Sequence, residues 1–217
     1  MEWLSRQRLR SSAYKAYDGV PSKNSDILAS VSIPTRSAEG FLPLGRYLCG
    51  LEEFKAEFVD AAQFTSSASR AGIFQDLLGV IDILEDLSAD LIESIWIGGS
   101  FVTDKLDPDD IDCLFVLSGV AFDGLSSNTK RRRVTQFNVD GWTRRKLRLR
   151  VETFILVRVA FANPWERGGV HPDAAPYTQV RGAWDDWWLR VRTGEGPTDP
   201  PRIESAEPKR GYLEVLL

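Results

Sequence analysis

The sequence is poor in the residues on which most redox, disulfide and imidazole chemistry depends. Its 217 residues include two cysteines, one methionine and one histidine. Cys49 and Cys113 are too few for a disulfide framework, so we expect two reduced thiols in a cytoplasmic protein. His171 is the lone histidine and lies in loop-like sequence, where a solvated side chain is the usual outcome.

Long apolar runs and a strong net charge are also missing. No apolar stretch approaches the roughly 20 residues that span a bilayer, and the first residues lack the basic-then-apolar order of a signal peptide. The net charge of -4 does not mark the whole chain as a nucleic-acid binder. A hydrophobic fraction of 43% supports a real core. We therefore expect a soluble cytoplasmic protein without a membrane partner.

The chain divides into a polar start and one domain. Residues 1–40 are serine-rich and are predicted to form an N-terminal arm, while 41–217 form the domain. Apolar residues at helical spacing predict helices, and β-branched runs predict strands. The helices are expected at 51–61, 68–87, 127–139 and 184–192, and the strands at 92–97, 110–117, 151–159 and 212–217, the last at a sheet edge. Residues 163–182 are predicted as loop and 194–211 as linker.

Two short motifs within residues 92–117 carry the chemistry. One strand-like run ends in Ile97-Gly98-Gly99-Ser100, and the next begins Asp110-Ile111-Asp112. Residues i and i+2 of a strand face the same way, about 6.5–7 Å apart. Two acids on one face of an apolar strand repel each other and are costly to bury. A divalent cation is the simplest neutraliser, so the pair predicts ligands for Mg²⁺ or Mn²⁺.

Together these motifs resemble the polymerase-β-like nucleotidyltransferase superfamily. The resemblance covers about 20 residues and their order in the chain, and it is closest to the minimal members of that family. It implies an α/β (α+β) fold, with a mixed β-sheet and helices packed mainly on one side, around a motif core at 92–160. It also implies a magnesium-dependent enzyme that moves a nucleoside monophosphate from a nucleoside triphosphate to a hydroxyl on RNA, protein or a small molecule.

The resemblance assigns roles to further residues. A third carboxylate from a later strand is expected beside the first two, and Glu152 fits that order, although the family more often has Asp. Asp110, Asp112 and Glu152 are then the predicted catalytic and metal-binding residues. An acid at a strand edge pairing with a neighbouring arginine is the alternative for Glu152. Gly98, Gly99 and Ser100 are predicted to approach the phosphates, with Ser100 either donating its hydroxyl or capping a short helix at 100–103.

Other features leave alternatives open. Lys105 is predicted to reach a phosphate, or is an ordinary loop lysine. Nine of the 27 basic residues lie between 130 and 150, either as a solvated surface or as a patch facing triphosphate or RNA. The stripe of Trp184, Trp187 and Trp188 is predicted to pack internally, with base stacking or a partner surface as the alternative. The alternative function is a catalytically inactive binding or regulatory module, for example one partner of a toxin–antitoxin or phage-defence pair.

Overall fold

A five-stranded mixed sheet forms the centre of the molecule. The computed structural model describes residues 33–192 and 199–217. The strand order is β1-β7-β2-β3-β4, in which β7 pairs parallel with β1 and antiparallel with β2, β2 is antiparallel to β3, and β3 is parallel to β4. The strands are β1 (Arg46–Gly50), β2 (Ile92–Gly98), β3 (Ile111–Leu117), β4 (Val151–Val157) and β7 (Tyr212–Leu216). Two-residue strands β5 (Trp165–Glu166) and β6 (Gly169–Val170) form a separate hairpin.

Five α-helices accompany the sheet in the described part of the chain. Serine side chains cap the start of two of them: the Ser118 hydroxyl accepts from the Ala121 N–H before α3, and the Ser127 hydroxyl accepts from the Lys130 N–H before α4. The helices are α1 (Leu51–Phe58), α2 (Arg70–Glu85), α3 (Gly119–Asp123), α4 (Asn128–Gln136) and α5 (Ala175–Trp188), with a π-helical turn at Thr143–Leu147 and 3₁₀ turns at Ala62–Phe64 and Ile203–Ser205. None of the described helices is long and apolar enough to cross a membrane.

The alternation of side chains along each strand gives the sheet two apolar faces. On one face, Ile95 and Ile97 pack with Phe54 of α1 and Leu77 of α2 in the larger core. On the other face, Trp96 belongs to a smaller core that includes residues of α5. The predicted α+β class with a mixed sheet is therefore confirmed, with most helices on one face and α5 on the other.

Most predicted elements are present, but β7 and α5 differ from the prediction, and one strand was missed. Strand β7 lies between β1 and β2 and not at the edge, because Tyr212, Leu213 and Val215 are fully buried. Helix α5 begins at Ala175 inside the predicted 163–182 loop, with a proline in its first turn, where the missing N–H costs nothing. Strand β1 was not predicted.

The N-terminal arm predicted over 1–40 falls mainly outside the described residues. Residues 33–40 contact the domain, where Arg36 donates to Glu57 at 2.7 Å and to Asp104 at 2.6 Å. The backbone N–H of Ile33 donates to the Glu53 carboxylate at 3.0 Å.

The tryptophan stripe packs internally, as predicted. Trp188 is 3% exposed, and its ring lies 5.4 Å from that of Trp184. The Trp184 ring also lies 4.4 Å from Phe154 on β4. These contacts use the stripe to hold α5 on the second face of the sheet.

Candidate active site

The sheet brings the sequence motifs together at one end of three neighbouring strands. Gly98 at the end of β2 is opposite Asp112 near the start of β3, and Asp112 is opposite Glu152 near the start of β4. Residues in register on parallel strands project to the same side, so the Asp112 and Glu152 side chains share one face. Glu152 thus lies next to Asp112 on the sheet, and its expected grouping with both acids of the pair stays a prediction.

Asp112 is a carboxylate whose surroundings disfavour its charged form. Its side chain opens into a cleft and accepts no hydrogen bond from any residue in the described ranges. Burial, followed by the nearby charge of Asp110, raises the pKa of Asp112 to about 6, against the opposing effect of Arg210. A bound cation would supply the missing interactions, so Asp112 and Asp110 fit the predicted ligands for a divalent metal.

Asp110 lies differently from the sequence prediction. Strand β3 begins at Ile111, so Asp110 precedes it, and the strand spacing expected for the two acids does not apply. Its side chain is 35% exposed and pairs with Arg144 at 3.4 Å. The predicted strand starts one residue too early. Asp110 is polar and lies two residues after the turn-forming Pro108, before the strand begins to pair with its neighbours.

Glu152 is held by the loop before β4. Its Oε1 accepts a hydrogen bond from the Gly141 N–H at 3.3 Å. Burial, together with the neighbouring carboxylates Asp140 and Asp112, raises its pKa to about 7. No arginine lies within ion-pair distance of Glu152 in the described chain. The alternative prediction, that Glu152 pairs with a neighbouring arginine, was therefore wrong. Within residues 33–192 and 199–217, no three His, Cys, Asp or Glu side chains are grouped closely enough to hold a metal ion.

The two glycines of the turn make room for two specific side chains. Gly99 has a φ of +70°, and a Cβ built there would lie 1.8 Å from Asp112 Oδ2. A Cβ at Gly98 would lie 2.4 Å from Cε3 of the Trp188 ring. The glycines therefore allow Asp112 and Trp188 to approach the backbone directly.

The prediction of a short helix at 100–103 was wrong. The chain forms only a turn there, closed by the Thr103 N–H and hydroxyl, which both donate to the Ser100 carbonyl, at 3.3 and 2.7 Å. The next N–H, that of Asp104, donates to the Gly40 carbonyl at 3.2 Å instead of continuing a helix. Ser100 still lines the cleft beside Asp112.

A cleft of about 430 Å³ opens beside Asp112, and basic side chains outnumber acidic ones among its described lining residues. Among the lining residues that the structure describes, Asp112 is the one carboxylate and five side chains are basic. Three of the five also pair with carboxylates outside the lining, Lys105 with Asp109, Arg190 with Asp186, and Arg202 with Asp199. The basic lining residues are Lys105, Arg190, Arg192, Arg202 and Arg210. This charge distribution suits an anion that also brings a metal ion to Asp112.

Sequence reasoning missed Arg210, which lay in the predicted linker. Its guanidinium donates to the Gly99 carbonyl at 3.1 Å and to the Trp188 carbonyl at 3.3 Å. Burial lowers its pKa and the charge of Asp112 raises it. Arg210 thus connects the glycine turn, α5 and the acidic site, and nothing in its proline-rich sequence context indicated this.

Arg70, at the start of α2, was also missed. It is 1% exposed and donates to five backbone carbonyls at 2.6–3.2 Å. The accepting residues are Phe58, Phe101, Thr103, Lys105 and Leu106. The guanidinium also stacks on Phe64 with its carbon 3.6 Å from the ring centroid. Arg70 fixes the loop that carries Lys105 to the cleft.

The fold and site define an α+β protein whose carboxylates lie at one end of a mixed sheet beside a basic cleft. A family model described as "Family of unknown function (DUF6932)" matches residues 34–215. The chain belongs to that family. No curated protein and no solved structure matches the chain.

Proposed function

We propose that this protein is a magnesium-dependent nucleotidyltransferase, which moves a nucleoside monophosphate from a nucleoside triphosphate to an acceptor hydroxyl. The observation that carries the proposal is Asp112, a carboxylate that accepts no hydrogen bond from the described residues, lies near Asp110 and opens into a cleft with several basic side chains. A metal–triphosphate complex has both of the charges that this arrangement needs.

The basic lining supports a triphosphate donor. Lys105 and Arg210 lie on the cleft wall with Gly99 and Ser100. Guanidinium and ammonium groups bind phosphate oxygens through charge-assisted hydrogen bonds. Because Arg210 is already fixed by the Gly99 and Trp188 carbonyls, it loses little freedom when it binds an anion.

Asp110 and Asp112 are the residues that would hold the magnesium ion. When bound, the metal neutralises charge on the triphosphate and its leaving group. In this proposal Glu152, in register with Asp112 on the next strand, accepts the proton of the acceptor hydroxyl. A role for Glu152 as a third metal ligand stays a prediction.

The alternative is an inactive module of the same fold that binds a nucleotide or a protein partner. The hydrogen bond from Gly141 to Glu152 and the absence of a three-carboxylate group among the described residues favour it. This alternative retains the basic cleft and needs no proton acceptor.

Calorimetry separates the two candidates. Each of the four nucleoside triphosphates is titrated, with and without Mg²⁺, into the wild type and into Asp110→Ala/Asp112→Ala. The matched control is Asp82→Ala/Asp86→Ala, which removes two exposed carboxylates on and just after α2. Magnesium-dependent binding that is lost only in the Asp110/Asp112 variant supports the enzyme. Triphosphate binding that does not depend on magnesium and is unchanged in the Asp110/Asp112 variant favours the inactive module. The absence of any triphosphate binding to folded protein favours it as well.

A further inference from the structure

A basic turn lies immediately before β4. Arg144, Arg145 and Lys146 lie in the π-helical turn, Arg148 follows it, and all four side chains are exposed. The turn is anchored from beneath, since the buried Thr143 hydroxyl donates to the Val151 carbonyl and Arg148 closes the turn with a φ of 63°. The backbone is thus fixed, and the four cations point away from the core.

The charges of this turn are only partly neutralised. Arg144 pairs with Asp110 at 3.4 Å, and the Arg145 guanidinium donates to the backbone carbonyl of Asp140 and to no carboxylate. Across the described residues, no carboxylate lies within ion-pair distance of Lys146 or Arg148. In a chain of net charge -4, this is a local concentration of positive charge.

Helix α4 extends the same surface. The guanidinium carbon of Arg133 lies 5.1 Å from the centroid of the Trp142 ring, and that ring packs on Phe137 at 5.0 Å. These contacts join the end of α4 to the basic turn. Arg133 therefore adjoins the basic turn, whereas Lys130 donates to the Leu87 carbonyl and Arg150 pairs with Asp76 on α2, so only part of the basic set of 130–150 forms one patch.

The position of the turn relates it to the site. The Gly141 N–H bonds Glu152, and Arg144 reaches Asp110, so the turn borders the carboxylates directly. In the sheet, β3 lies between β2 and β4. The glycine turn and its cleft lie on the β2 side of Asp112, while Glu152 and the basic turn lie on the β4 side. Two basic surfaces thus flank Asp112 from opposite sides.

We propose, on the basis of the function proposed above, that the acceptor is an RNA strand whose backbone lies on the basic turn and whose terminal hydroxyl reaches Glu152. A strand that carries one phosphate per nucleotide can contact several exposed basic side chains at once, whereas a small neutral acceptor has no charge for them to bind. An RNA end also offers two adjacent hydroxyls to the site, where DNA offers one.

The transfer step balances without a further reactant. The terminal hydroxyl oxygen of the RNA forms a bond to the α-phosphorus of the triphosphate. The bond from that phosphorus to the bridging oxygen breaks, and pyrophosphate leaves with the electron pair. The hydroxyl proton goes to Glu152.

Binding of RNA alone tests this inference independently of nucleotide binding. A fluorescein-labelled single-stranded RNA of about 20 nucleotides, enough to cover the site of one small domain, is titrated without triphosphate or magnesium, and affinity is read from fluorescence anisotropy. The variant is Arg145→Ala/Lys146→Ala. The matched control is Lys55→Ala/Arg167→Ala, which changes the net charge equally, from -4 to -6, at sites on α1 and in the β5–β6 hairpin.

The expected loss follows from counterion release. Each phosphate contact contributes about 0.7 to the slope of log K against log salt for single strands, so two lost contacts lower the slope by about 1.4 and weaken binding about 25-fold at 0.1 M salt. The control variant keeps wild-type affinity and slope. Circular dichroism of both variants confirms that the fold is retained.

Four outcomes overturn the inference. They are no RNA binding by the wild type, an equal loss in the control variant, tighter binding of DNA of the same sequence, and tighter binding of polyglutamate, which would indicate an acidic protein. If any of these occurs while the wild type still binds a triphosphate through Asp110 and Asp112, the RNA acceptor is rejected and the nucleotidyltransferase proposal stands.

Discussion

The Asp112 carboxylate occupies the space where a side chain at residue 99 would lie. A Cβ at Gly99 would be 1.8 Å from Asp112 Oδ2, and the backbone at Gly99 has a φ of +70°. The turn after β2 and the acid on β3 are therefore matched to each other, and a change in one displaces the other.

Gly99→Ala is expected to lower the free energy of unfolding by about 2–4 kcal/mol, because the new Cβ combines a left-handed backbone with a clash. Urea unfolding measures the loss. Gly182→Ala is the control, since a Cβ at Gly182 in α5 meets nothing within 4 Å. That change removes backbone entropy from the unfolded chain and should raise stability by about 0.5–1 kcal/mol. Wild-type stability in Gly99→Ala would show that the turn relaxes easily.

Stability of the metal-free protein should fall as pH rises from about 4 to 7. The pKa of Asp112 is raised to about 6 and that of Glu152 to about 7, so the folded state holds more protons than the unfolded state across this range. The free energy of unfolding then decreases with pH, and the loss is complete above the folded-state pKa values.

Asp112→Asn removes the Asp112 part of this dependence. The variant should match the wild type near pH 4 and exceed it by about 1–3 kcal/mol at pH 8, measured by urea unfolding. Asp82→Asn, an exposed carboxylate on α2, controls for the change of charge. A gain in the free energy of unfolding that is the same at pH 4 and pH 8 would contradict a raised pKa for Asp112.

Arg210→Met should weaken triphosphate binding about tenfold or more, because a charged hydrogen-bond donor on the cleft wall is lost. The pKa of Asp112 should rise further, since Arg210 lowers it. Calorimetry gives the affinity, and Lys209→Met removes an equal charge from the exposed neighbouring residue. Arg210→Lys, which keeps the charge, should recover part of the affinity. Equal effects of the Arg210→Met and Lys209→Met changes would mean that only overall charge matters.

Arg70→Met should lower the free energy of unfolding by about 3–5 kcal/mol, because it leaves five backbone carbonyls without their donor. Thermal or urea unfolding measures the effect. Arg167→Met in the exposed β5–β6 hairpin should be nearly neutral. A small effect at Arg70 would show that water replaces the guanidinium at these carbonyls.

The fold class and the assembly of the motifs followed from local patterns. Apolar runs marked β2, β3 and β4, and helical spacing marked α1 and α2. The carboxylates came together because Asp112 and Glu152 occupy equivalent positions near the starts of adjacent parallel strands.

What sequence reasoning missed depends on contacts between distant segments. Strand order is set by pairing, so nothing local placed β7 inside the sheet. The predicted loop at 163–182 covers the first half of α5, which becomes a helix where α5 packs on the face of the sheet that carries Trp96 and Phe154. Arg70 and Arg210 act on backbone carbonyls, which have no sequence signature. Asp140 neighbours Glu152 and helps to raise its pKa, a contact across the turn that the strand pattern does not indicate.

Release of pyrophosphate is the most direct test of the proposed transfer. The wild type and Asp112→Asn are incubated with Mg²⁺, single-stranded RNA and each of four triphosphates labelled at the α-phosphate. We predict that one or more triphosphates release pyrophosphate and leave the α-label on the RNA, and that Asp112→Asn does neither. Folded wild-type protein that binds a triphosphate but releases no pyrophosphate, with RNA or with protein and small-molecule acceptors, would contradict the enzyme and leave the binding module.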